Sequence, residues 1–121
     1  MSEDERFTIR HRDEFERNGN WSLARRGLGL RSFGMNLVEI APGERIPEHD
    51  ETGRDQEEVF VFLGGEASMV IDGEAHPVGT GTFVRVNPSL RRTVRNDGSA
   101  PARVLIASAP TTSGYKPMGL A

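Results

Sequence analysis

"EVFVFLGGEASMVIDGEAHPVG", Glu58 to Gly79, decides the fold class. Two apolar runs, "EVFVFL" and "EASMVID", are separated by Gly64-Gly65, and the second is followed by Asp72-Gly73 and a third run, "EAHPVG". An Asp-Gly pair between strand-like runs is a strong hairpin signal, because a type I′ turn needs positive φ at both central residues. Nothing in the stretch repeats at helical spacing.

The same rhythm extends in both directions. Upstream stands "MNLVEIA"; downstream stand "TFVRVN", "RRTVRN" and "ARVLIASA", with Pro42-Gly43, Asn87-Pro88-Ser89 and Asn96-Asp97-Gly98 as punctuation. Short β-rich runs broken by turns roughly every eight to twelve residues predict an all-β fold, an antiparallel sandwich or barrel, and argue against a doubly wound α/β fold. The barrel is expected over residues 35–109, after an N-terminal extension over 1–34 that packs on it or on a partner subunit, and before a surface tail over 110–121. In the extension, "RDEFERNG" predicts two turns of helix ended by Asn18-Gly19, and "WSLARRGLGLRSFG" predicts an extended strand carrying Trp21, Leu23, Leu28 and Phe33 into the core. The Pro-, Gly-, Ser- and Thr-rich tail "APTTSGYKPMGLA" offers Tyr115 for contact with a neighbouring subunit.

The chain has 121 residues, enough for one compact domain. Its 15 basic and 18 acidic residues form no basic block, so nucleic acid and anionic membranes are not expected partners. The longest apolar run, Val59 to Leu63, is far short of the ~20 residues of a membrane-spanning helix, and the polar N-terminus does not resemble a signal peptide. A cytoplasmic location is expected. There is no cysteine, so any metal would be held by histidine and carboxylate groups.

"PGERIPEHDETGRDQEE", Pro42 to Glu58, brings one histidine and several carboxylates in front of a buried strand. In extended chain, residues two apart share a face, so His49 and Glu51 project together. The same parity separates Glu58, Phe60 and Phe62 from Glu57, Val59 and Val61, so one glutamate of the pair faces inward. A buried carboxylate needs a cation beside it, a metal or an arginine, or a proton. In "LRRTVRN", parity puts Arg92, Val94 and Asn96 on one face and Arg91, Thr93 and Arg95 on the other. Arg85 could also reach the interior, or snorkel from an edge strand. Phe60, Phe62, Met69 and Phe83 are expected mainly in the core. His11 and His76 are expected to face solvent.

These residues resemble the cupins, small β-barrels whose first motif is G-x5-H-x-H-x3-4-E-x6-G. Gly43, His49, Glu58 and Gly65 match it. The second cupin motif, G-x5-P-x-G-x2-H-x3-N, resembles "GTFVRVNPSLRRTVRN", with Gly81, Pro88 and Asn96 at the glycine, proline and asparagine positions. The resemblance covers roughly residues 35–109. It departs from the pattern at Glu51 and Arg92, which stand where two metal-binding histidines would be, at Ser89 in place of a glycine, and in two extra residues between His49 and Glu58.

Two arrangements follow from the resemblance. In one, His49, Glu51 and Glu58 hold a divalent ion, Zn²⁺, Mn²⁺ or Fe²⁺, with Arg92 beside it for an anionic substrate. In the other, Arg92 neutralises Glu58 or Glu51 and no metal is needed. The loss of two of three histidines favours the second. The expected function is binding of an anionic or hydroxylated small molecule by a polar barrel centre of His49, Glu51, Glu58 and Arg92, with Asn96 in the ligand set and walls from Phe60 and Phe62. The alternatives are a metal-independent isomerase, cyclase or lyase with Glu58 as general base, a metal-dependent dioxygenase or hydrolase, and a non-catalytic sensor or dimerisation module. Because barrels of this kind often pair, a homodimer is expected.

Overall fold

Each β-branched or aromatic run between turns becomes a strand in the computed structural model, which describes residues 6–119. The strands are β1 (Arg17–Asn18), β2 (Trp21–Ser22), β3 (Gly34–Ile40), β4 (Gln56–Gly64), β5 (Glu66–Ile71), β6 (Glu74–Gly79), β7 (Phe83–Val86), β8 (Arg92–Arg95) and β9 (Ala102–Pro110). A short helix α1 (Ala24–Leu28) lies between β2 and β3. All strand pairings are antiparallel, in a six-stranded sheet ordered β1-β2-β3-β9-β4-β7 and a three-stranded sheet ordered β6-β5-β8.

The core forms between the two sheets because alternate side chains face one another there. Val38, Ile40, Phe60, Phe62, Val86 and Val104 come from the large sheet; Ala67, Met69, Val78 and Val94 come from the small one. Asp72 and Gly73 have φ of 47° and 81°, the left-handed pair that a type I′ hairpin requires, and Ile71 pairs with Glu74 across them. Gly65 makes the crossing from β4 to β5 with φ of 77°, and a Cβ there would sit 2.4 Å from the Pro101 carbonyl oxygen. Only glycine fits that approach.

The N-terminal extension departs from its expected form. "RDEFERNG" makes only a 3-10 turn, Arg12–Glu14, whose ends are closed by His11 and Glu14 in a capping box. Asn18 then begins a hairpin through Gly19, with φ of 61°, instead of ending a helix. Two isolated helical turns are marginal, whereas Trp21 and Ser22 gain partners in Val38 and Leu37 on the edge of β3. "WSLARRGLGL" is likewise divided: Trp21–Ser22 is strand, and Ala24–Leu28 is helix ended by the left-handed Gly29. Trp21 does pack against the core, but Phe33 is exposed on the surface. Phe83, also expected in the core, is 71% exposed because β7 turns Val84 and Val86 inward instead. Residues 1–5 and 120–121 of the expected extension and tail lie outside the described residues.

Among the described residues, no helix is long and apolar enough to cross a membrane.

Candidate metal and ligand site

The segment before β4 runs beside β8 as an irregular extra strand. Ile46 N–H donates to the Val94 carbonyl, His49 and Arg92 exchange both backbone hydrogen bonds at 3.1 and 2.8 Å, and Glu51 N–H donates to the Pro88 carbonyl. This pairing fixes which way His49 and Glu51 point. Glu58 approaches from β4, where it sits between Val86 of β7 and Ser108 of β9. Two different sheets therefore aim three potential ligands at one place.

His49 Nε2 is 3.5 Å from Glu51 Oε2 and 3.8 Å from Glu58 Oε1, and one ligand atom from each of the three residues lies within 4.8 Å of the others. Glu51 and Glu58 are buried, while about a third of the His49 side chain is exposed. Glu58 faces inward and Glu57 outward, where Glu57 pairs with Arg85. Arg85 thus lies outside the cavity.

Both buried carboxylates have guanidinium neighbours. Arg54, from the two-residue insertion and its surrounding turn, hydrogen-bonds Glu51 Oε1. Arg92 Nε lies 3.4 Å from Glu58 Oε1, a charge contact without hydrogen-bond geometry: neither atom has a hydrogen-bond partner. Burial pushes the Glu58 carboxyl above its ordinary value; the Arg92 charge opposes that, the Glu51 charge adds to it, and His49 and Arg54 oppose it.

Arg92 itself occupies a different role from the ligand-binding one expected. It is fully buried, and its Nη atoms donate to the carbonyls of Val86, Asn87, Pro88 and Leu90. The guanidinium clamps the β7–β8 turn and leaves only Nε toward Glu58. Asn96 is also committed: Nδ2 donates to the Ile40 and Ala100 carbonyls and Oδ1 accepts from Gly98 N–H, so its amide fastens the β8–β9 turn and is not free for a ligand. Phe62 is core, whereas Phe60 does line the cavity beside the cluster. His11 and His76 are exposed.

That cavity, of about 370 Å³, is bounded by Trp21, Arg25, Asn36, Arg54, Gln56 and Ile106 as well as His49, Glu58 and Phe60. Its size falls within the ~300–1,000 Å³ of small-molecule sites. The sequence reading missed Trp21, Arg25, Asn36 and Arg54 as site residues. For Asn36 the signal was present: it is in phase with the inward Val38 and Ile40, a polar residue on a core face. For Arg54 and α1 there was none, because their positions depend on loop conformation. A larger cavity, about 710 Å³, lies against Val59, Ala107 and Tyr115, away from the cluster. The smaller one is the candidate site because it contains the convergent titratable groups.

The residues fit a divalent ion. Ligand bonds of ~2.0–2.2 Å put neighbouring donors ~3–4 Å apart, as the His49 separations of 3.5 and 3.8 Å are. His49 Nδ1 lies 3.0 Å from the Pro47 carbonyl, which can only accept, so the neutral ring carries its proton there and turns the Nε2 lone pair toward the carboxylates. Three electron-rich atoms facing one another call for a cation or a proton between them.

A model of the cupin domain matches residues 36–108, and the chain belongs to the cupin-domain family. It is similar to protein SchB of Streptomyces halstedii, with 31% identity over 83 residues, 68% of this chain and 58% of that protein. The chain thus spans less than two thirds of that curated relative's length. Among solved structures, a cupin protein from Bacteroides fragilis superposes with a TM-score of 0.80 at 18% identity, covering 98% of each chain. A Cupin 2 conserved barrel domain protein from Salinispora arenicola superposes with a TM-score of 0.61 at 24% identity, covering 69% of this chain and 67% of that one.

Proposed function

We propose that the protein binds a small molecule in the barrel mouth around a divalent cation held by His49, Glu51 and Glu58. The observation that carries this is the buried Glu58 Oε1, which has no hydrogen-bond partner and is set opposite His49 Nε2, itself beside Glu51 Oε2. One nitrogen and two oxygen donors suit Zn²⁺, Mn²⁺ or Fe²⁺, and such an ion, when bound, supplies a Lewis acid for a ligand oxygen. The chain does the rest: Pro47 orients His49, Arg54 holds Glu51, Arg92 fixes the turn behind Glu58, and Phe60 and Ile106 furnish apolar walls. Metal analysis by inductively coupled plasma mass spectrometry, after incubation with each ion and desalting, tests this reading. About one ion per wild-type chain is expected, falling below a tenth in His49→Ala; no ion retained by wild type would refute it.

A second reading, proton transfer by Glu58 without a metal, is favoured by its raised pKa. It would make the protein an isomerase, cyclase or lyase, with the exposed His49 edge as the approach for substrate.

A homodimer formed through the outer face of the large sheet also belongs to this reading. Strand register aligns Leu37, Leu105, Val61 and Phe83 in one row across β3, β9, β4 and β7. Glu39 and Arg103, opposite charges in register with each other, flank that row on one side, and Arg85 on the other pairs with Glu57 within the chain. A two-fold axis lays such a row on its own copy, apolar against apolar, as an isologous interface requires.

A further inference from the structure

The cavity has a second polar pole, opposite in chemistry to the carboxylates. Asn36 faces inward in phase with Val38 and Ile40, pairs across the sheet with Ile106, and its side-chain amide has no protein partner among the described residues. Arg25, on α1, lines the same cavity; its guanidinium makes only a 3.5 Å contact with the Leu30 carbonyl and meets no carboxylate among the described residues. Its neighbours are already committed, Arg54 to Glu51 and Arg26 to Glu16.

From this we infer that Arg25 and Asn36 receive the carboxylate of a small organic acid. The inference deepens the reading of the cavity as a ligand site. Glu51 and Glu58 each face a guanidinium, so a divalent ion at His49 leaves the cavity with excess positive charge, to which Arg25 adds. An anion restores the balance. Guanidinium presents parallel N–H donors that match a carboxylate, and the Asn36 amide adds a third donor. Within a mostly polar lining, Trp21, Phe60 and Ile106 offer apolar contacts to a ligand's carbon skeleton, which an inorganic anion lacks. The anion-recognition role expected of Arg92 thus passes to Arg25, whose guanidinium is not enclosed.

Trp21 is the single tryptophan and lines the cavity, so its fluorescence reports occupancy. Succinate and glutarate, their diamides and inorganic phosphate are titrated into wild type, Arg25→Gln and Arg25→Lys, with metal content measured in every sample. Saturable binding of the diacids is expected, with no response to the diamides, phosphate weaker by about tenfold or more, and an affinity loss of about tenfold in Arg25→Gln that Arg25→Lys partly recovers. Absence of diacid binding, equal binding of diamides, preference for phosphate, or wild-type affinity in Arg25→Gln each overturns the proposal. Metal retained with any of these results overturns this inference alone; metal absent from wild type refutes the ion site separately. Arg25 is exposed, and circular dichroism verifies that its variants fold.

Discussion

Glu58 sits where burial and charge pull in opposite directions, and its titration makes that conflict measurable. In the unfolded chain it loses its proton near the ordinary value of 4.5; in the folded chain it holds the proton to higher pH. Across that window the native state binds more protons than the unfolded state, so stability falls as pH rises and levels off above the folded pKa. Glutamine does not titrate. In chelator, the unfolding free energy of Glu58→Gln minus that of wild type should therefore increase as pH rises past the ordinary value of 4.5, as followed by urea unfolding. A difference that is flat or decreasing would show that Arg92 outweighs burial at this carboxyl. Strand parity made the shared face of His49 and Glu51 legible in the sequence, because Cβ direction alternates along any extended chain; for the Glu57-Glu58 pair it showed only that one faces inward, and the resemblance to the cupin motif pointed to Glu58. Parity separated Arg92 from Arg91 and Arg95, and the same resemblance made Arg92 the inward candidate, but neither reaches beyond Cβ. Where a long side chain ends depends on the acceptors within its reach, here four carbonyls of one turn.

Among the elements, the turns were the most legible and the N-terminal extension the least. Asp72-Gly73 and Gly65 dictate their backbone locally, since few residues tolerate positive φ. The two-residue strands β1 and β2 have no such local cause: they exist because the edge of β3 offers hydrogen bonds, which no pattern within "RDEFERNG" encodes. The turns also provide a paired test. Gly65→Ala and Gly43→Ala both force alanine into a left-handed conformation, which costs ~1–2 kcal/mol. Only at Gly65 does the added Cβ also meet backbone, at 2.4 Å from the Pro101 oxygen; at Gly43 nothing lies within 4 Å. Urea unfolding should show Gly65→Ala to be the more damaging by ~1 kcal/mol or more, and equal losses would mean that the β4–β5 crossing can shift without cost.

The large sheet presents apolar rows on both faces, and a lone domain needs only one of them. Its inner row builds the core; in its outer row Leu37, Val61 and Leu105 are partly buried and Phe83 is exposed. Light scattering after size exclusion should give twice the chain mass for wild type and the single mass for Leu105→Glu, which places a charge at the centre of the row. A monomeric wild type would leave the outer face to another role. A dissociated variant that keeps its metal would show that the centre is complete within one chain.

Arg92 also ties the make-up of the centre to the β7–β8 turn. Changing it to histidine would supply an imidazole at the position that resembles a cupin ligand, yet remove the donors that four turn carbonyls rely on. The turn carrying those carbonyls also anchors the Glu51 backbone through Pro88, so the replacement would loosen one ligand while adding another. A three-histidine centre in this barrel would therefore need a rebuilt turn as well as new ligands.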